Sequence, residues 1–180
     1  TPSRASTWPR SWSRRRKRAS RAGPLKWRVM RFLQRVPRFL EVFYQATIVL
    51  LLPLRPLMRS GGRVEWLFVR AERLTKGPMF GCRMFGQCVL HSTGMTCPMT
   101  CPKNLRNGPC GGVRTNGNCE IIADMPCVWV EAWHRSQAMP KYGPGILTIL
   151  PPLDRRLEMT SAWVNDFTGR SDQVPVGWDE

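Results

Sequence analysis

The sequence predicts a mainly α protein with little β structure, built around an irregular, metal-stabilised, cysteine-rich loop domain. Three observations carry that expectation. All seven cysteines of the 180-residue chain fall between Cys82 and Cys127. Sixteen prolines and fifteen glycines signal a large irregular fraction. Upstream of the cysteines, apolar residues recur at helical spacing. The cysteine segment itself has too few apolar side chains to form a core, so a metal or a set of disulfides must hold its shape.

Residues 1–23 are rich in Ser and Arg, hold no acid and show no hydrophobic period, the composition of a disordered basic tail. Thirteen Lys or Arg and no acid lie in residues 1–40, so only three of the sixteen net positive charges belong to the rest of the chain. The run Arg14–Arg18 resembles a nuclear-localisation or nucleic-acid patch, and an acid-free Arg/Ser start also resembles an organelle transit peptide. A solvated tail is the plain reading.

Residues 24–77 read as a helical segment. Val29, Phe32, Leu33 and Val36 give a first helix from Lys26, and Pro37 breaks it and opens a second, since proline suits a first turn and no later one. That second helix, Arg38 to Leu52, is expected to present Leu40, Phe43, Thr47, Leu50 and Leu51 on one side. Its apolar run, Val42 to Leu54, contains Gln45 and Thr47 and stops at Pro53 and Arg55, short of the roughly 20 residues that a membrane span needs. A core or partner-packing helix is therefore preferred to a membrane segment, whether spanning or lying on the surface. A third helix, Val64 to Lys76, carries Val64, Leu67, Phe68, Ala71 and Leu74 at helical spacing, with Gly77 placed to end it.

Residues 78–135 form the cysteine-rich, metal-binding domain, with the spacing C-x5-C-x8-C-x3-C-x8-C-x8-C-x7-C. An odd number of cysteines and no evident secretory signal argue for reduced thiols in the cytoplasm and against a disulfide framework. Thiolates suit zinc or iron, and four of them close a tetrahedral site or hold a cubane cluster. Paired C-x2-C knuckles of the zinc-ribbon kind are absent. Cys97 and Cys101 are each followed by proline, so the pair is expected on a rigid, irregular loop and not on a helix. Glycines beside the sulfurs, as in Pro109-Cys110-Gly111-Gly112, let backbone N–H groups approach a cluster and tilt the balance toward a 4Fe-4S cluster, with zinc the alternative. His91 is a candidate eighth ligand, although a lone histidine is more often simply hydrogen-bonded; His134 lies outside the cluster.

Val128 to Trp133 reads as a strand or as the start of a short helix. Trp129, Trp133 and Trp163 are expected to pack over the metal loop or a partner surface in preference to a cofactor. Residues 136–180 read as an extended, partly disordered tail. With no GxSxG, P-loop, dinucleotide fingerprint or HExxH, no catalytic residue is expected.

The strings FGCRMFGQCVL, TCPMTCPKNLRNGPCGG, NGNCE and PCVWVEAW resemble the methylenetetrahydrofolate reductase C-terminal domain family over about Gly77 to Trp133. That family includes the small cysteine-rich subunit that partners the flavin-bearing barrel subunit in some bacterial reductases. The resemblance implies that Cys82, Cys88, Cys97, Cys101, Cys110, Cys119 and Cys127 are the metal-ligating set. It also exposes a departure, because related members often read CRMCGxC where this chain has Phe85. Seven thiolates complete one four-sulfur site and leave a second short, and Cys88, Cys97, Cys101 and Cys110 are the expected complete set. The implied function is that of an accessory subunit in one-carbon (folate) metabolism, non-catalytic alone. It passes electrons to FMN or FAD on the partner subunit if it holds a cluster, and braces the complex if it holds zinc. The alternative is a nucleic-acid-binding metal-loop protein that uses the basic tail.

Overall fold

The computed structural model describes residue 32 and residues 35–58 and 61–173. The basic tail, most of the first expected helix and residues 174–180 lie outside the described residues. Four α-helices occur among them: α1 (Pro37–Leu51), α2 (Arg63–Phe80), α3 (Val128–Ser136) and α4 (Ala162–Phe167). Short 3-10 turns connect them, and the β structure among the described residues is a lone bridge between Asn118 and Pro126. The mainly helical expectation holds.

Helix α1 opens at Pro37, as its fixed φ and missing N–H favour. Its inward side is not the one expected. Leu40 and Glu41 are buried, while Phe43 and Leu50 are exposed together with Phe39, Val42 and Val49. Glu41 decides the orientation: its Oε1 accepts hydrogen bonds from the backbone N–H groups of Lys141 at 3.0 Å and Tyr142 at 2.8 Å. A buried carboxylate needs such donors, so the helix turns that side inward and leaves an apolar stripe outside. A 3-10 stretch, Leu52–Leu57, carries the rod on past Pro53. By length and composition alone, the 21 residues Pro37–Leu57 are long and apolar enough to cross a membrane, and 11% of that apolar window is buried.

Helix α2 does not stop at Gly77. It runs through Gly77 and Pro78 to Phe80 and ends at Gly81, whose left-handed φ of 64° suits a residue without Cβ. Phe80 explains the extension, because it packs with Leu40, Leu90, Met95 and Met139 in the larger core cluster. Tertiary packing there outweighs the local cost of glycine and proline. The side of α2 turned inward is charged, with Glu65, Glu72 and Lys76 buried, while the expected core residues Leu67 and Leu74 are exposed.

The buried carboxylate of Glu72 finds its partners at the start of α4. Its oxygens accept from Ser161 Oγ at 2.7 Å, Trp163 N at 2.9 Å and Ala162 N at 3.3 Å, and Lys76 Nζ lies 3.4 Å away. Helix N-termini offer unpaired N–H groups and positive potential, so this carboxylate docks α4 onto α2. The C-terminal segment is therefore packed and not extended through its described part. Val164, Asn165 and Ser161 are fully buried, and Asn165 Nδ2 donates to Gly86 O at 2.8 Å.

Val128 to Trp133 belongs to α3, which excludes the strand alternative. Val128, Trp129, Ala132 and Ser136 form its buried side, at helical spacing. Cys127 caps the start of this helix, so the cysteine-rich segment runs from the end of α2 to the start of α3.

Candidate metal centre

The cysteines divide into two neighbourhoods. Cys82 leaves the left-handed turn at Gly81, and its Sγ accepts from Met84 N at 3.4 Å. Cys88 and Cys97 pack against the larger core cluster. All three line one small cavity of about 30 Å³, together with Lys76 and Phe85. Phe85 is only 7% exposed, and its ring stands in the pocket wall. Gly86 follows it with φ 73°, and a Cβ there would collide with the carbonyl of Leu157.

Burial disfavours thiolates in this pocket. It pushes the Cys97 thiol up to about 12, with Cys82 and Cys88 adding to the effect. Burial raises Cys82 as well, again with help from Cys88. Burial alone would lower Lys76, but the sulfur of Cys88, the Glu72 carboxylate and Cys82 outweigh it and hold the ammonium above its usual value. The pocket thus contains its own counter-charge for sulfur in the anionic form.

Of the other four cysteines, Cys119 and Cys127 belong to the loop 117–127 and Cys101 packs against it. Cys101 is buried with Met125 and Val128, and Cys119 packs on the same small cluster. Backbone bonds close the loop: Cys119 N donates to Met125 O at 2.8 Å, and Cys127 N to Gly117 O at 2.9 Å. Cys110 is exposed. Its thiol is held below the usual range by the backbone N–H of Gly112 and by Lys103, which also pairs with Glu120 next to Cys119. Among the described residues no three of the His, Cys, Asp and Glu side chains lie close enough together to hold a metal ion.

The expected set of Cys88, Cys97, Cys101 and Cys110 is split between these neighbourhoods. The 3-10 turn Pro98–Thr100 explains how: Cys97 caps its start, Cys101 its end, and Thr100 Oγ1 donates to Cys97 O at 2.7 Å. A loop was expected across this pair, but Pro98 fits the first position of a turn. Residues so joined face different sides.

His91 is occupied elsewhere. Its Nδ1 lies 3.3 Å from Tyr44 Oη, its ring stacks on Tyr44 at 5.5 Å, and burial lowers its basicity. His134 is exposed. Trp129 is buried and donates to Leu105 O at 3.3 Å, while Trp163 stacks on Tyr44 with Lys76 Nζ 4.5 Å from the centre of its ring. Sequence reasoning missed Lys76 and Glu72 as parts of the first pocket. Their i,i+4 spacing was a readable signal for a pair on one helix side.

As donors, the two neighbourhoods differ. Cys101, Cys110, Cys119 and Cys127 match in number and softness what zinc or a cubane cluster requires, but no three of them lie together in this structure. Cys82, Cys88 and Cys97 are three, one short of that number, and Phe85 lines the same pocket.

In comparison with known proteins, the family model described as methylene-tetrahydrofolate reductase C terminal matches residues 62–156, a span that includes every cysteine of the chain. No curated protein and no solved structure matches.

Proposed function

Because the chain belongs to the methylene-tetrahydrofolate reductase C-terminal family, we propose that it is a cysteine-rich, metal-binding accessory subunit of such a reductase. The family match over residues 62–156, which include every cysteine of the chain, supports this reading most directly. In it, Cys101, Cys110, Cys119 and Cys127 hold the group. A 4Fe-4S cluster supplies one-electron chemistry toward a flavin on the partner subunit, and zinc supplies only a cross-link.

The chain's own residues have definite tasks in this scheme. Lys103 and the Gly112 N–H favour the thiolate of Cys110, which a metal ligand requires. The hydrogen bonds of Cys119 N and Cys127 N fix the two arms of the loop that carry these sulfurs. Met125 and Val128, both buried, exclude water from one side. Cys82, Cys88 and Cys97 serve as a reduced, packed pocket that ties the loop domain to α2.

The test is co-expression with a flavin-bearing methylenetetrahydrofolate reductase subunit. A chain lacking residues 1–23 is expected to co-purify with it, and Cys101→Ala is expected to lose both metal and partner. Failure of the intact chain to capture the subunit would overturn the accessory role.

A further inference from the structure

A second feature of the molecule lies apart from the loop 117–127. A cavity of about 480 Å³ opens between the segment around Gln87–Ser92, the segment around Lys141–Pro151 and the end of α4. Arg106, Lys141, Ser171, His91, Asp166 and Asp172 are among the residues that line it.

Among the described residues, three buried side-chain polar atoms have no hydrogen-bond partner: Nε and Nη1 of Arg106, and Oγ of Ser171. Both residues belong to this one cavity. An unpaired buried guanidinium is costly, because its donors have left water and gained no acceptor. Neither Asp166 nor Asp172 accepts from Arg106 Nε or Nη1. Burial disfavours the Arg106 charge, and the nearby sulfurs of Cys88 and Cys97 offset it only in part. A thiol is a weak acceptor and cannot replace an oxyanion. Nε and Nη1 are closed off from solvent, so the side chain would have to rotate to present its fork to the cavity, where it suits two oxygens of a carboxylate or phosphate. Ser171 adds a hydroxyl donor, and Lys141 adds a second cation. Asp166 and Asp172 then suit N–H or O–H donors at the other end of the same molecule.

We propose that Arg106, Ser171 and Lys141 form a binding site for a small organic anion, a carboxylate or phosphate whose far end carries hydrogen-bond donors. The volume lies within the range of small-molecule sites. The proposal uses none of Cys101, Cys110, Cys119 and Cys127, although Cys88 also lines the cavity.

The test is isothermal titration calorimetry on the full chain with two probes, phosphoethanolamine and γ-aminobutyrate, each with one oxyanion and one ammonium. Saturable binding of either is expected, and which one binds identifies the anion as phosphate or carboxylate. Arg106→Gln is expected to weaken that binding by about tenfold or more, the effect of losing a charge-assisted pair. The same variant is expected to keep its metal content and, without probe, to melt no lower than the wild type, because no hydrogen bond is lost. Absence of saturable binding by both probes, equal binding by the variant, or a lower melting temperature without probe would each overturn the proposal. A fall in metal content with unchanged probe binding would assign the guanidinium to the thiols and overturn it as well.

Discussion

Cys82, Cys88 and Cys97 line a small pocket braced by two helices, whereas Cys101, Cys119 and Cys127 lie on or against a loop with a core of few residues, and Cys110 is exposed. The first region has a supply of stability independent of any metal: the Phe80 cluster, the Glu72 carboxylate on α4 and the Asn165 bond to Gly86. The second has Cys101, Met125 and Val128 and little else that is buried. Sulfur in the second region is the main means by which the loop can be cross-linked, so dependence on metal should be concentrated there.

Metal removal should separate the two regions most strongly. Site formation in small metal domains is worth on the order of 10 kcal/mol of folding free energy. After chelation, backbone hydrogen exchange is expected to accelerate through residues 101–127 and to stay slow in α2 and α4. Equal acceleration in both would erase the distinction. Next in size is Glu72→Ala, which leaves Lys76 and the start of α4 unpaired; a loss of about 3–5 kcal/mol is expected in urea unfolding, with the metal content intact. Phe85→Cys tests the comparison from the other side. It provides the fourth sulfur of the first pocket, and about one further metal site per chain is expected by elemental analysis, at a modest cost in melting temperature from the lost ring.

The smallest effect concerns thiol reactivity in the metal-free protein. Only the thiolate is a nucleophile. Cys110 is exposed and its ionisation is favoured, so it should react first with iodoacetamide near pH 8. Cys97, with its thiol pushed up to about 12, should react last. The sign for stability follows: the neutral Cys97 thiol favours folding, and that contribution is complete below the unfolded value near 8.5 and is lost as pH rises toward about 12. Mass spectrometry of the alkylated peptides establishes the order, and Cys97 labelled as fast as Cys110 would contradict the burial of the Cys97 thiol.

Much of this was legible in the sequence where local chemistry decides. Pro37 marked the start of α1, and the family strings marked the loop domain. Orientation was not legible, because it depends on partners remote in the chain. Glu41 turns α1 inward through the backbone of Lys141 and Tyr142, and Glu72 turns α2 inward through Ser161 and Trp163. A hydrophobic period points to the apolar side as the buried one, and two carboxylates with distant donors overrule it here. The division of the cysteines was hidden for a related reason. Spacing places Cys97 and Cys101 together, but the turn between them directs their side chains into different surroundings. The C-terminal residues looked extended because α4 is short, and its stability comes from the Glu72 carboxylate and from Ser161, whose Oγ accepts from Val164 N at 3.2 Å.

The most direct test of the division is metal and acid-labile sulfide analysis of oxygen-free preparations of the intact chain, Cys119→Ser and Cys88→Ser. The account predicts one site in the intact chain, about four irons with four sulfides or about one zinc. It further predicts that Cys119→Ser loses the site and Cys88→Ser retains it. Retention by Cys119→Ser and loss by Cys88→Ser would contradict the account and place the complete site in the pocket beside Phe85.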